Sequence, residues 1–186
     1  MKLLGLTLVL CAAPLHAQDP FVDLWHGFDG EWHHVSSQLV ALAEAFPAEK
    51  FAWRPAPGVR STSEVFMHIA IANLGLLNYT SPKDHVIERA VSGLKINKID
   101  ANTEKTVTAK ADVIDWLKAS LEAVRTARAA LKPDGLPRKI KVDQYDATVD
   151  GVYLRIIVHA NEHMGQLVAY ARMNGIVPPW SETPAK

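Results

Sequence analysis

The stretch HANEHMGQLVAYARMNGIVPPW, residues 159–180, has the pattern of the last turns of a long helix. His159 and His163 are four residues apart, so they would share one face of that helix. Gly175 suits the left-handed position that ends a helix, and the proline pair that follows cannot continue one. We therefore predict a helix over about 150–174 that carries both histidines on one side.

Three further segments repeat apolar residues at steps of three and four, which is the helical period. They cover about 23–46, 61–79 and 110–131. Ser61 and Glu64 at the start of the second segment have the spacing of a capping box, which predicts a helix beginning there. Proline-rich connections close each of these segments.

The remaining segments carry no strong periodicity. The long polar stretch over 83–106 is expected to be a crossover with one short helix, and KIKVDQYDATV, residues 139–149, is expected to be a loop. Two helices, a long crossover and two further helices predict an all-α fold, a four-helix bundle with a long crossover between helices two and three.

Residues 1–17 have the pattern of a secretory signal peptide, with a lysine, an apolar run and a small residue, Ala17, at the expected cleavage position. An uncleaved membrane anchor is disfavoured because the apolar run is about half of the ~20 residues that a span needs. Lipidation of Cys11 is disfavoured by the large Leu10 before it. We expect residues 18–186 to form one domain, exported to the periplasm or the cell exterior, with no membrane segment and no cysteine.

Composition limits the classes of partner. The chain has 186 residues, 20 basic and 20 acidic side chains, and 48% hydrophobic residues. Such a chain can bury a core, and without a long basic run it has no footprint for nucleic acid. A small-molecule substrate is the remaining expectation. The oligomeric state stays open, although a homodimer is the commonest assembly.

His68 is a candidate third metal ligand beside the two histidines of the last predicted helix. It lies among apolar residues in the middle of the second predicted helix. A single histidine in such a place is often a satisfied core residue, and an H-x-x-x-H pair alone is a weak signal. A divalent cation shared by His68, His159 and His163 would satisfy all three imidazoles at once, and helix bundles host metal sites of this kind. Three histidines with an open position are typical of a catalytic site.

Four other residues are candidates for the pocket or for contacts to the ligands. Gln166 follows the two histidines on their helix face and could orient a substrate or satisfy itself in the core. Glu64, one turn before His68, could support it unless the capping box occupies the carboxylate. His34 could border a pocket from the first helix, and Tyr170 is expected in the core first and in the pocket second.

The motifs resemble those of a known family. WRPAPGVRSTSEVFMHIA, residues 53–70, and HANEHMGQLVAYARMNGIVPP, residues 159–179, are similar to the DinB-like superfamily, which includes the DinB/YfiT-like metalloenzymes. The resemblance covers nearly all of the chain after the signal peptide. It implies a four-helix bundle and a divalent cation held by His68, His159 and His163. Some members are thiol-dependent transferases or isomerases that use low-molecular-weight thiols.

These observations leave three functions open. The protein could be a metal-dependent transferase or hydrolase acting on a small molecule, a metal-binding or stress-related bundle without catalysis, or an interaction module with structural histidines. The cation could be zinc, nickel, iron, cobalt or manganese, because imidazole suits several of these metals.

Overall fold

The computed structural model describes residues 25–81, 84–97, 99–100 and 102–181. The predicted signal peptide lies outside these residues. The described chain is mostly helical, with one small sheet. In chain order its elements are α1 (Gly27–Ala45), α2 (Thr62–Thr80), α3 (Val86–Val91), α4 (Thr103–Thr106), α5 (Lys110–Ala130), β1 (Lys139–Val142), β2 (Tyr145–Thr148) and α6 (Val149–Met173), with short 3₁₀ turns at Ala48–Lys50, Pro133–Gly135 and Pro179–Ser181.

The four long helices confirm the helices predicted from the apolar period. α1 and α2 each pack against both α5 and α6, and their apolar faces meet in one core. On α1 the fully buried side chains Val35, Leu39 and Leu42 follow the expected spacing. At the other end of the chain, Gly175 adopts the left-handed backbone that ends α6, with φ of 71°.

The capping box at the start of α2 is present. The Ser61 hydroxyl accepts a hydrogen bond from the Glu64 amide at 3.3 Å, and the Glu64 carboxylate accepts one from the Ser61 amide at 2.7 Å. Two amides that the first helical turn leaves without partners are thereby satisfied. This fixes the start of α2, the helix that carries His68.

The crossover contains two short helices, α3 and α4, where one was predicted. α4 packs against α2. Side chains hold its start: the Asp100 amide donates to the Thr103 hydroxyl, and the Asn102 amide donates to the Asp100 carboxylate, each at 2.8 Å. Such local side-chain bonds replace apolar periodicity here, which is why the sequence pattern missed the element.

The prediction of an all-α fold, with a loop over 139–149, was wrong at the segment before α6. β1 and β2 form an antiparallel hairpin in which Lys139 pairs with Thr148 and Val142 pairs with Tyr145. Asp143 in the turn has a positive φ of 50°, a conformation that aspartate tolerates. The side chains of both strands are exposed or half-buried, so the alternation that marks a strand is weak.

Among the described residues, no helix combines the length and the apolar character needed to cross a membrane.

Candidate metal centre

The fold brings the three predicted histidines together. His68 lies on the second turn of α2, and His159 and His163 lie one turn apart on the facing side of α6. The Nε2 atoms of His68 and His159 are 3.1 Å apart, and the ring of His163 has its centre 4.6 Å from each of the other two ring centres. One ring nitrogen from each histidine lies within 4.8 Å of the others. Among the described residues, these three histidines form the group of side chains that could hold a metal ion together.

His68 is oriented by a carboxylate on α4. Its Nδ1 is 3.0 Å from Oε2 of Glu104, whose other oxygen accepts from Nε of Arg60 at 2.6 Å. A carboxylate can only accept, so Nδ1 of His68 carries the proton and its Nε2 keeps a lone pair. That lone pair lies on the side of the ring that approaches His159. A carboxylate that holds a ligating histidine in this way is common at metal sites.

His163 is oriented by a chain of hydrogen bonds whose direction can be worked out. The Tyr170 hydroxyl lies 3.0 Å from the Arg60 carbonyl oxygen, and a carbonyl only accepts, so Tyr170 donates. Its oxygen is then left to accept from Nε2 of Gln166 at 2.8 Å, which places Oε1 of Gln166 3.0 Å from Nδ1 of His163. His163 must therefore donate from Nδ1, and its neutral imidazole then has its lone pair on Nε2.

Both sets of contacts end at the same residue. The Arg60 side chain holds Glu104, and the Arg60 carbonyl accepts from Tyr170. The supports of His68 and His163 are thus joined through the connection before α2. Because these polar groups bond one another, a shift at Arg60 would be transmitted to both imidazoles.

His159 is the most buried of the three rings, with 8% of its surface exposed. Its Nδ1 has no hydrogen-bond partner among the described residues. Burial, together with the charges of the neighbouring His163 and His68, lowers the pKa of His159 to about 4. Burial also lowers the pKa of His68, together with the charge of Arg60. Both imidazoles are therefore neutral at pH 7, which is the form that binds metal.

The geometry of these atoms fits one divalent cation. For metal–nitrogen bonds of about 2.0–2.1 Å, two imidazole nitrogens on one ion are roughly 3.0 to 3.4 Å apart, depending on the coordination angle. The 3.1 Å separation of the His68 and His159 Nε2 atoms falls in this range. The donor set of neutral imidazoles suits zinc and several other transition metals.

The other candidates have different outcomes. Gln166 contacts His163 directly. Glu64 is held by the capping box and by Arg54, with a 3.2 Å ion pair, and it has no contact with the histidine cluster. Although burial opposes it, the bond from the Ser61 amide and the charge of Arg54 hold the pKa of Glu64 below its usual value. His34 lies on α1, half-buried, and is not part of the cluster.

Sequence reasoning missed Glu104 and Arg60. Arg60 lies in the connection before α2, and Glu104 lies on α4, which is too short for a helical period to identify a residue that faces the core. Tyr170 was expected mainly in the core, and it is both buried, with 4% of its surface exposed, and bonded to Gln166.

A polar cavity of about 550 Å³ lies beside the cluster. Its walls include Glu104, which bonds His68, and Gln166, which bonds His163. The volume is in the range of small-molecule sites. The cavity, called the polar cavity below, is lined by Arg54, Gly58, Val59, Arg60, Glu64, Glu104, Lys105 and Gln166.

Residues 31–167, which include all three histidines, match the family model described as the DinB superfamily. Solved structures with a similar fold include two DinB-like proteins. A DinB-like protein from Bacillus cereus is 20% identical with a TM-score of 0.63, over 83% of this chain and 95% of that chain. A DinB-like protein from Bacillus subtilis is 19% identical with a TM-score of 0.60, over 85% of this chain and 96% of that chain. No curated protein matches the sequence. Since the family model spans more than half of the chain, the protein belongs to the DinB superfamily.

Proposed function

We propose that the protein is a metal-dependent enzyme, a transferase or hydrolase that acts on a small molecule. One divalent cation would be held by Nε2 of His68, His159 and His163. The observation that carries this proposal is the fixed tautomer of two of the rings: bonds at Nδ1 of His68 and His163 leave their Nε2 lone pairs free for the ion. When bound, such an ion supplies a Lewis acid that acidifies a water or a thiol at neutral pH.

The ligand count favours catalysis over a structural role. A structural zinc site is closed by four protein ligands, whereas a catalytic site keeps a position open. Within the part of the chain that the structure describes, no fourth histidine, cysteine or carboxylate joins the cluster. Glu104 is the carboxylate in contact with it, and its oxygen lies at Nδ1 of His68, on the side of the ring away from Nε2.

The surrounding residues have defined tasks in this proposal. Glu104 and Gln166 hold the imidazoles in orientation, which prepares the site before substrate arrives. The polar cavity receives the substrate. Glu64 lines that cavity but keeps its charge through Arg54 and Ser61, so it is a poor proton donor at neutral pH. The four long helices would form one four-helix bundle with the ion between facing helices.

Metal analysis of the purified protein tests the site. We expect about one divalent cation per chain in the wild type and its loss in His68→Ala and His163→Ala. His33→Ala is the matched control, because this exposed histidine of α1 is not in the cluster. A wild type that takes up none of zinc, nickel, iron, cobalt and manganese would refute the site.

A second experiment separates an enzyme from a non-catalytic metal-binding protein. The metal-loaded protein is screened for thiol conjugation and for hydrolysis of small esters and amides, with and without a chelator. Turnover that the chelator removes, and that His163→Ala lacks, supports the enzyme. One tightly bound ion with no turnover across the screen would favour the metal-binding or stress-related alternative.

A further inference from the structure

The polar cavity differs from a typical small-molecule site in its charge. Such sites are mostly apolar with a few polar groups. Here three cationic and two carboxylate side chains line the walls, so the lining carries one net positive charge. Both carboxylates are already paired, Glu64 with Arg54 at 3.2 Å and Glu104 with Arg60 at 2.6 Å. The net positive charge of the lining therefore comes from the cationic side chain that neither carboxylate pairs with.

Two cationic groups in the cavity have hydrogen-bond donors to spare. Lys105 is exposed on α4, and its side-chain ammonium has no ion pair or hydrogen bond among the described residues. Arg60 uses Nε for Glu104, and its two terminal nitrogens have no partner in the described part of the chain. A guanidinium in this state can still form the paired bonds that an oxyanion accepts. The fifth charged residue, Arg54, is committed through both terminal nitrogens to Glu64 and Val59.

We propose that the substrate carries an oxyanion group, a carboxylate or a phosphate, and that Lys105 and the terminal nitrogens of Arg60 bind it. This inference rests on the proposed function, because it names the substrate class of the same site. Glu104 and Gln166 line the cavity and also bond His68 and His163, so an oxyanion bound in the cavity would be close to the cluster. The anionic end would orient the molecule, and its reactive end would extend toward the histidines.

The test is an NMR titration of the metal-free protein at low ionic strength, so that no anion can bind through a metal. The probes are succinate, inorganic phosphate and the uncharged succinamide. The backbone amide of Gly58 and the side-chain amide of Gln166 report binding, because both residues line the cavity. We expect succinate or phosphate to shift these resonances and succinamide to leave them unchanged. Whichever of the two anions binds more tightly indicates whether the substrate's oxyanion group is a carboxylate or a phosphate.

Two lysine variants test whether Lys105 contributes to anion binding. Lys105→Ala should weaken the preferred anion about five- to tenfold, as expected for one charge-assisted hydrogen bond. Lys141→Ala is the matched control, since it removes an exposed lysine from the hairpin that contacts the opposite end of α2. Equal shifts with succinamide, or equal affinities of the two variants, would overturn the proposal.

The two hypotheses can fail separately. Anion binding is measured without metal, so its absence rejects the oxyanion site whatever the metal analysis gives. Anion binding by a protein that takes up no metal would leave the cavity assignment standing and reject the proposed enzyme.

Discussion

Replacing Glu104 by alanine is expected to weaken metal binding without removing a ligand. The carboxylate accepts from Nδ1 of His68 at 3.0 Å and from Nε of Arg60 at 2.6 Å. Without it, the His68 ring loses the contact that sets both its tautomer and its rotation. The imidazole can then place its proton on Nε2, where it competes with the ion.

The size of the effect follows from the type of contact. Removing a group that orients a ligating histidine costs about 10- to 100-fold in metal affinity, which corresponds to about 1.4 to 2.8 kcal/mol. A hydrogen bond to a charged group is worth about 1.5 to 3 kcal/mol, in agreement with this range. Glu104→Gln should fall between the wild type and Glu104→Ala. Its amide oxygen can accept from only one of the two donors, His68 or Arg60, while its amide nitrogen opposes the other.

The assay is competition for zinc against a chromophoric chelator at neutral pH. Glu122→Ala is the matched control, because it removes an exposed carboxylate that pairs with Arg125 on α5, away from the cluster. Thermal unfolding of the metal-free variants checks that each has folded. A zinc affinity of Glu104→Ala within twofold of the Glu122→Ala value would show that Glu104 does not orient His68.

Three further predictions concern the supports, the pH response and the core. Tyr170→Phe removes the donor to the Arg60 carbonyl and the acceptor for Gln166, so urea unfolding should show a loss of about 1 kcal/mol and zinc competition a several-fold weaker affinity. The pKa of His159 is about 4 in the fold and near its ordinary value when unfolded, so the unfolded chain binds more protons between these values. The unfolding free energy of the metal-free protein should therefore fall as the pH is lowered from about 6.5 to 4, with a smaller fall in His159→Gln; equal pH profiles would contradict the shift. Phe66→Ala should cost about 3 to 5 kcal/mol in urea unfolding, because this fully buried ring packs against two other phenylalanines.

The helices and the histidine cluster were predictable because repeating side chains encode them. The apolar period located α1, α2, α5 and α6, and the Ser61 and Glu64 pair located the start of α2 within one residue. Because His159 and His163 are four residues apart, they share one face of their helix whatever the position of that helix in the fold. Only the position of His68 opposite them depended on the tertiary fold.

The supports of the cluster were not predictable in the same way. Glu104 reaches His68 because α4 folds back onto α2, and no local pattern fixes that return. Arg60 acts partly through its backbone carbonyl, which every residue possesses. The hairpin before α6 escaped detection because its alternation is short and weak: exposed and half-buried residues alternate over the four residues of β1, and β2 does not alternate.

The distance in sequence between the two histidine-bearing helices has a consequence for folding. His68 and His159 are 91 residues apart along the chain, and only the folded state brings them to one point. An ion bound there would be a reversible cross-link that the unfolded chain cannot match. At a free metal concentration 100 times the dissociation constant, it would add about 2.7 kcal/mol to stability. The lifetime of the protein against unfolding and proteolysis would then follow the metal supply of its surroundings.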